Sequence, residues 1–347
     1  MLTERPLLIK RVAPLLLIGL SIFLFYLYFF VGMADILAIL SRADLFYYSL
    51  AVISVLVSMI FYSLTWQRLL SLLSIRATLR KTLLFNWIGA FVDLLVPAES
   101  ISGDVSKVYL MSKSSGENAG KVVASVISHR ILSMTINLSG LIIGSVFFIL
   151  KYEPFGFVLN LIIIVATGTA ISLFLVGYLC LRKKTVEKMV DWLIRLLAFI
   201  TRGRWQLTRL RSKVQEILKA FHEGIAILAR SPKSLAWPAV LSIAAWFFNL
   251  LVFLLVFVSL DFHFSLSSIL IVYSISCAIQ TVPLGIPGEV GLVEIVMTSL
   301  YTLLSIPPTI SAAATVLTRI ITLWFKLLVG YMAVQWVGVK VLMGSAN

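Results

Sequence analysis

Arg130, Arg319 and Lys326 each interrupt a long apolar run, and the acids Asp93, Glu99, Asp104, Glu289 and Glu294 cluster near Gly- and Pro-punctuated breaks in other apolar segments. A charge at the centre of a bilayer costs about 2.5–3.5 kcal/mol even on lenient insertion scales. Such a set must face the protein interior, pair, or line water. The chemistry it can do is ionic recognition. A guanidinium presents a planar fork that matches a phosphate, which an ammonium does not. Two plainer readings stand beside that one. The arginines can close structural ion pairs with the acids, and Asp104 and Glu289 can sit at helix N-termini, where the helix dipole stabilises an anion. Arg319 and Lys326 are seven positions apart, which places both on one face of an uninterrupted α-helix.

Other chemistries are poorly served. His129, His222 and His263 are too scattered for a zinc motif, and Cys180 and Cys277 lie in apolar runs, unlike a disulfide pair or metal ligands. The run Gly285-Ile286-Pro287-Gly288-Glu289-Val290-Gly291 lacks the Gly-Lys-Ser/Thr ending of a P-loop and no strand precedes it. A backbone nest for an anion stays open there. Asn137-Leu138-Ser139 matches a glycosylation acceptor but lies inside an apolar run, and Gly140 with Gly144 forms a GxxxG suited to helix packing. No nucleophile–base grouping stands out, and neither a cofactor nor a metal is expected.

The elements that position these charges follow from composition. Of the 347 residues, 60% are hydrophobic and only 13% charged, with a mean hydropathy of +1.04. Soluble domains carry about 25% charged residues, so a soluble enzyme, a disordered chain and a coiled coil are excluded. A bilayer span needs about 20 apolar residues. Six runs qualify: Val12–Val31, Leu45–Trp66, Val122–Leu150, Phe157–Leu181, Leu235–Leu260 and Thr309–Val339. The first is not a signal peptide, since no small-residue cleavage site follows it and further spans do. Two more apolar segments are broken by Pro and Gly, one over Thr82–Pro97 and on to Met111, the other over Leu266–Pro283 and on to Leu304. Non-helical backbone at membrane depth is tolerated only inside protein or beside a water-filled cavity.

Charge orients the chain. Lys and Arg concentrate on the cytoplasmic side. With the N-terminus inside, and with each broken segment returning to the side it entered, only Arg42 and Lys151 of the 29 basic residues fall outside. Both termini are then cytoplasmic. This topology accounts for the net charge of +14 without nucleic acid. The longest extramembrane stretch, residues 182–234, is basic. Val186, Met189, Val190, Leu193 and Leu197 recur with helical period, as do Val214, Ile217, Leu218, Phe221, Ile225 and Leu228. Both sets predict amphipathic helices lying on the inner leaflet.

The two broken segments resemble each other. Val96-Pro97-Ala98-Glu99-Ser100-Ile101-Ser102-Gly103-Asp104-Val105 and Val282-Pro283-Leu284-Gly285-Ile286-Pro287-Gly288-Glu289-Val290 share Val-Pro, a spacer, Gly, an acid and Val. The match resumes downstream, where Ala124-Ser125-Val126-Ile127-Ser128-His129-Arg130-Ile131 parallels Ala314-Thr315-Val316-Leu317-Thr318-Arg319-Ile320. Under the assigned topology the first segment enters from inside and the second from outside. Interrupted helices in inverted repeats are the sequence pointer to a transporter's midplane site. The expected fold is an all-α polytopic integral membrane protein with six full spans and two broken re-entrant helix pairs in an inverted-repeat arrangement. It is one transmembrane domain over 1–347, with repeat-like halves at about 44–150 and 235–340.

In this order of elements the chain resembles the flippase-like transmembrane domain of the lysylphosphatidylglycerol synthase/flippase family. The features that carry the likeness are a Val-Pro…Gly-Asp…Lys break, an arginine-bearing long helix, a basic cytoplasmic loop, a Pro-Gly-Glu…Gly…Glu break and a last arginine-bearing helix. The resemblance covers nearly the whole chain. The family pattern is often richer in glycine at the first break, where this chain has none before Gly103. The likeness implies movement of lipids, aminoacylated phospholipids among them, between leaflets. Some members add a synthase or glycosyltransferase domain, for which this length leaves no room, so no enzymatic activity is expected. The substrate-binding residues that resemblance and position together imply are Gly103, Asp104, Arg130, Pro287, Gly288, Glu289, Glu294 and Arg319, with both arginines facing one central polar cavity. The expected partners are membrane lipids with anionic headgroups; self-assembly stays open. Two other readings remain open. One is a membrane enzyme or enzyme subunit acting on a polyprenyl-phosphate or phospholipid, and the other is a scaffold whose charges are all structural.

Overall fold

The structure, a computed structural model, describes residues 38–96, 101–151, 156–200, 207–230, 232–282 and 285–344, together with Ser21 and Phe25. Apart from those two positions the expected span Val12–Val31 lies outside the described residues, as do Pro97, Ala98, Glu99, Ser100, Pro283 and Leu284. Among the described residues there is no strand. In chain order the α-helices are α1 (Leu45–Leu72), α2 (Leu79–Leu95), α3 (Ser102–Ser115), α4 (Ala119–Lys151), α5 (Gly156–Leu181), α6 (Lys183–Ile200), α7 (Leu207–Arg230), α8 (Ala236–Ser259), α9 (Leu266–Ile279), α10 (Leu292–Leu303), α11 (Pro308–Arg319) and α12 (Lys326–Gly344).

Local sequence explains where these helices start. The Asp44 carboxylate accepts the Phe46 N–H at 2.8 Å ahead of α1. Thr78 accepts the Lys81 N–H ahead of α2, and Asn118 accepts the Gly120 N–H at 2.8 Å ahead of α4. Each side chain satisfies a donor that a helix N-terminus leaves open. Five helical stretches are long and apolar enough to cross a membrane: Leu45–Leu72, Ala119–Leu150, Gly156–Leu181, Lys233–Ser259 and Pro308–Val337. They coincide with the five expected runs that fall on described residues. The two broken segments also appear as breaks. The first is the gap between α2 and α3, and the second is the gap between α9 and α10, bridged by the short 3-10 turn Pro287–Glu289.

Packing gathers most of the described core into two large clusters, beside a small one at Ala312 and Ala313. One apolar cluster takes Ala51 and Val55 of α1, Leu141 and Phe148 of α4, and much of α8, α9 and α10. The other takes Trp66 and Leu70 of α1, Leu73 at its C-terminal cap, Val122 and Val126 of α4, and parts of α2 and α7. Between them α1 carries Ser58, Tyr62 and Ser63, while α4 carries His129, Arg130, Ser133 and Asn137. The polar residues therefore form a belt across the middle of the bundle. The GxxxG pair works as expected. A side chain at Gly140 would run into Trp246 of α8, and one at Gly144 into Leu270 of α9. The outer face is apolar, as contact with acyl chains requires: Ile164, Ile171 and Phe174 of α5 are all exposed.

The basic segment corrects one expectation. Helix α7 does not lay its apolar face on a leaflet. Ala220, Phe221 and Leu228 are buried in the second apolar cluster or its border. Close approach to α4 is possible because Gly120 lies against the backbone of Ile217 and Phe221, and Gly224 against Ala124. Helix α6 differs. It is held to α7 by a bidentate pair between Arg211 and Asp191, at 3.1 Å for each contact, yet Met189 and Trp192 stay exposed on it. An exposed Trp beside Lys184, Lys188 and Arg195 matches an interfacial helix. Trp192 is expected to be quenched by lipids brominated near the headgroup, and Trp192→Phe should remove that part of the quenching. Equal quenching in both proteins would place α6 away from the surface.

Candidate functional site

The first break is organised by Asp93 near the end of α2. Its Oδ1 accepts the Gly103 N–H at 2.6 Å and the Ser102 hydroxyl at 3.0 Å. A carboxylate thus binds the open donors at the start of α3. This contact needs glycine at position 103, because a Cβ there would overlap the Asp93 carboxylate and the Gly89 carbonyl oxygen. One turn into α3, Asp104 meets two cations. Its Oδ1 lies 2.7 Å from Lys107 Nζ, and its Oδ2 lies 3.3 Å from Arg130 Nη1, carried in by α4. The Lys107 ammonium also lies 5.8 Å from the ring centre of Tyr62 and 5.9 Å from that of Trp66, close enough for cation–π attraction. His129, buried in the packing, sets its ring centre 4.0 Å from that of Tyr62 with the planes tilted by 39°.

These groups line a cavity of about 260 Å³ at the polar belt. Asp93, Asp104, Lys107 and Arg130 supply its charges. Asn137, Asn249, Trp246 and Tyr273 add hydrogen-bonding and aromatic surface from α4, α8 and α9, and Cys277 adds a thiol. The wall is braced from behind. Asn249 donates to the Ser58 hydroxyl at 2.6 Å, Ser58 donates to the Ala245 carbonyl at 2.8 Å, and Asn137 donates to the Ser274 carbonyl at 3.2 Å. The arrangement can bind a headgroup that carries charge. Its paired acids and bases offer it both signs.

The second break builds a different object. Gly288 has φ +58° and Gly291 φ +93°, and between them Glu289 takes φ +49°. A left-handed non-glycine residue persists only where its surroundings over-determine it; here Pro287, Gly288 and Glu289 are all buried. Glu294, in the first turn of α10, accepts the Gly291 N–H at 2.8 Å. Its other oxygen lies 2.7 Å from Arg319 Nε. Arg319 also donates to the Gly288 carbonyl at 2.6 Å. The Arg319 and Glu294 side chains are only 6% and 4% exposed.

Placement of the expected residues is therefore split. Asp104 and Arg130 line the cavity, with Gly103 fixing the turn beside them. Pro287, Gly288, Glu289, Glu294 and Arg319 form the second cluster and are not among the cavity-lining residues. Arg319 is thus not among the residues that line the cavity Arg130 lines. Each arginine reaches back to the break that precedes its helix. Glu294, rather than Glu289, is the acid that Arg319 engages. A second correction concerns Lys326. A π-helical turn, Ile320–Phe325, separates it from Arg319. An i→i+5 turn alters the helical register, so seven-residue spacing no longer means a shared face. Lys107 is the main residue that sequence reasoning missed. It is absent from the expected binding residues, yet it is 6% exposed and lines the cavity. The signal was its position one turn after Asp104. Tyr62, Asn249 and Trp246 carried no signal, because polar and aromatic residues in spans are common.

The family model described as the lysylphosphatidylglycerol synthase TM region matches residues 16–330. The chain belongs to this family. Three relatives, each called a UPF0104 membrane protein, agree in length. That of Pyrococcus horikoshii is 24% identical over 320 residues, 91% of this chain and 94% of its own. That of Methanothermobacter thermautotrophicus is 23% identical over 311 residues, 90% and 91% of the two chains. That of Methanocaldococcus jannaschii is 23% identical over 327 residues, 92% and 94%. Matches of this extent, with five spanning helices, make the chain a multi-pass membrane protein. In this chain, Gly103→Ala is expected to push α3 off Asp93 and open the Asp104–Lys107 cluster. A lower thermal midpoint than for Ala substitution at exposed Gly168, which has open space around it, checks this.

Proposed function

We propose that the chain is a flippase-like transbilayer lipid transporter and not an enzyme. The headgroup passes through the cavity at the polar belt while its tails stay in the surrounding lipid. The observation that supports this most is the cavity itself. Asp93, Asp104, Lys107 and Arg130 line one void in a bundle whose outer face is apolar. Charges that served only stability would pair without leaving room between them, as Arg319 and Glu294 do. The family assignment adds weight, since its described region is a transmembrane one.

The finer architecture belongs to the same reading. Both halves join an acid near the break to an arginine of the next long helix, 26 residues on for Asp104–Arg130 and 25 for Glu294–Arg319. That recurrence favours two related halves, inverted if the basic residues mark the cytoplasmic side. Re-entrant pairs α2–α3 and α9–α10, cytoplasmic termini and anionic membrane lipids as substrates complete the proposal.

Purified protein in liposomes carrying headgroup-labelled lipid, quenched from one side, tests it. Transport lowers the fraction of label that stays protected. Protection equal to that of protein-free liposomes would defeat the reading. Release of the labelled headgroup into solution would point instead to the enzyme alternative.

A further inference from the structure

Lys326 opens α12 just after the π-helical turn and lines a second void of about 190 Å³. This void shares Tyr62, Asp93, Lys107 and Asn249 with the larger cavity, so the two adjoin as a small and a large lobe. Lys326 forms no ion pair among the described residues. Removal of a cation from water without a partner is unfavourable, and the chain carries this one into the middle of the bundle. Among the described lining residues of both lobes, Lys107, Arg130 and Lys326 are the cations and Asp93 and Asp104 the acids. Asp93 lines the same void, but its Oδ1 accepts from Gly103 and Ser102, and it makes no ion pair with Lys326 among the described residues.

The small lobe also offers neutral donors. Asn86 spends one amide N–H on Ser63 at 3.0 Å, and Asn249 one on Ser58 at 2.6 Å. Each amide carries two, so a second remains. Lys107 gives one of its three protons to Asp104. Two ammonium groups and two amides around one void suit a small oxyanion with several acceptor oxygens.

We propose that this lobe is an oxyanion subsite in which Lys326 and Lys107 hold a phosphate-type group, either the phosphodiester of a lipid or free phosphate. The assignment deepens the transport reading and rests on it for the lipid source. In that reading Arg130 contacts the headgroup beyond the phosphate, while Lys326 fixes the phosphate itself.

Protein purified in a phosphate-free maltoside detergent is titrated with dibutyl phosphate, a soluble phosphodiester, and separately with inorganic phosphate, with the thermal midpoint as readout. Dibutyl phosphate should raise the midpoint saturably. Lys326→Met should weaken that binding by about tenfold or more, equivalent to about 1.4 kcal/mol, and Lys326→Arg should restore it to within a few-fold. Tighter binding of inorganic phosphate than of the diester would support the subsite and assign it to free phosphate. A control guards against misfolding. Without anion, Lys326→Met should melt at or above the wild-type temperature, because it removes a charge that forms no ion pair among the described residues and keeps the chain length. A fall in that midpoint would mean that Lys326 has a structural partner and would overturn the proposal, as would equal affinities in wild type and Lys326→Met or no binding to the wild type. Anion binding that persists in a protein inactive in the liposome assay would retire transport and leave the subsite standing.

Discussion

Arg319→Gln should lower the stability of the folded protein by about 3–5 kcal/mol, the range for removing one partner of a buried ion pair. The loss follows from what remains. Glu294 would stay almost fully buried, and the Gly288 carbonyl would lose its donor. Glu294→Gln in the same chain should recover much of the loss. A glutamine at that place can still accept the Gly291 N–H, and it carries no charge to strand. Glu289→Gln should give no such recovery, since Arg319 pairs with Glu294. Thermal or chemical denaturation in detergent measures all four proteins. Equal stability of Arg319→Gln and wild type would show that the pair is not held in the folded state.

Arg130 should behave in the opposite way. Its side chain is 30% exposed and its contact to Asp104 is longer, at 3.3 Å. Pairs of that kind contribute about 1 kcal/mol or less, so loss of the Arg130–Asp104 pair by itself should cost the fold little. Its effect should fall on transport. A hydrogen bond to a charged group contributes about 1.5–3 kcal/mol, so lipid movement in liposomes should slow about 10- to 100-fold if Arg130 engages the headgroup. Arg130→Lys should recover only part of the rate, because the planar fork is lost. An unchanged rate in Arg130→Gln would remove this residue from the headgroup path.

The contrast between the two arginines shows what the sequence could express. Span length and hydropathy are local properties, so α1, α4, α5, α8 and the α11–α12 unit are legible directly. The breaks are legible too, through Pro and Gly, and so is the need to shelter Arg130 and Arg319. Partner choice is not local. Glu289 sits nearer the Gly-Pro motif, yet the turn through Gly288 and Gly291 delivers Glu294 to Arg319. Lys107 does not stand out among the basic residues, because nothing in its immediate neighbours shows that Tyr62 and Trp66 will stand over it. The π-helical turn Ile320–Phe325 hides for a similar reason. Its composition is that of any apolar helix, and only the packing around it sets the register. The face of α7 was visible, but its contact was not. An amphipathic stripe fits a leaflet or a neighbouring helix equally well, and glycines at 120 and 224 decided for the helix.

The arginine–acid pairs also bear on biogenesis. Asp104 and Arg130 are 26 residues apart, and Glu294 and Arg319 are 25 apart. In each case the acid leaves the ribosome first and its counter-charge follows almost at once. Each half therefore neutralises its own guanidinium before the other half is needed. An arginine-bearing helix that reached the translocon alone would meet an insertion penalty of about 2.5–3.5 kcal/mol; arriving beside its acid, it enters as a nearly neutral hairpin. The two halves can then be laid into the membrane in turn, and co-expressed as separate chains split within residues 201–206, they should still insert and reassemble.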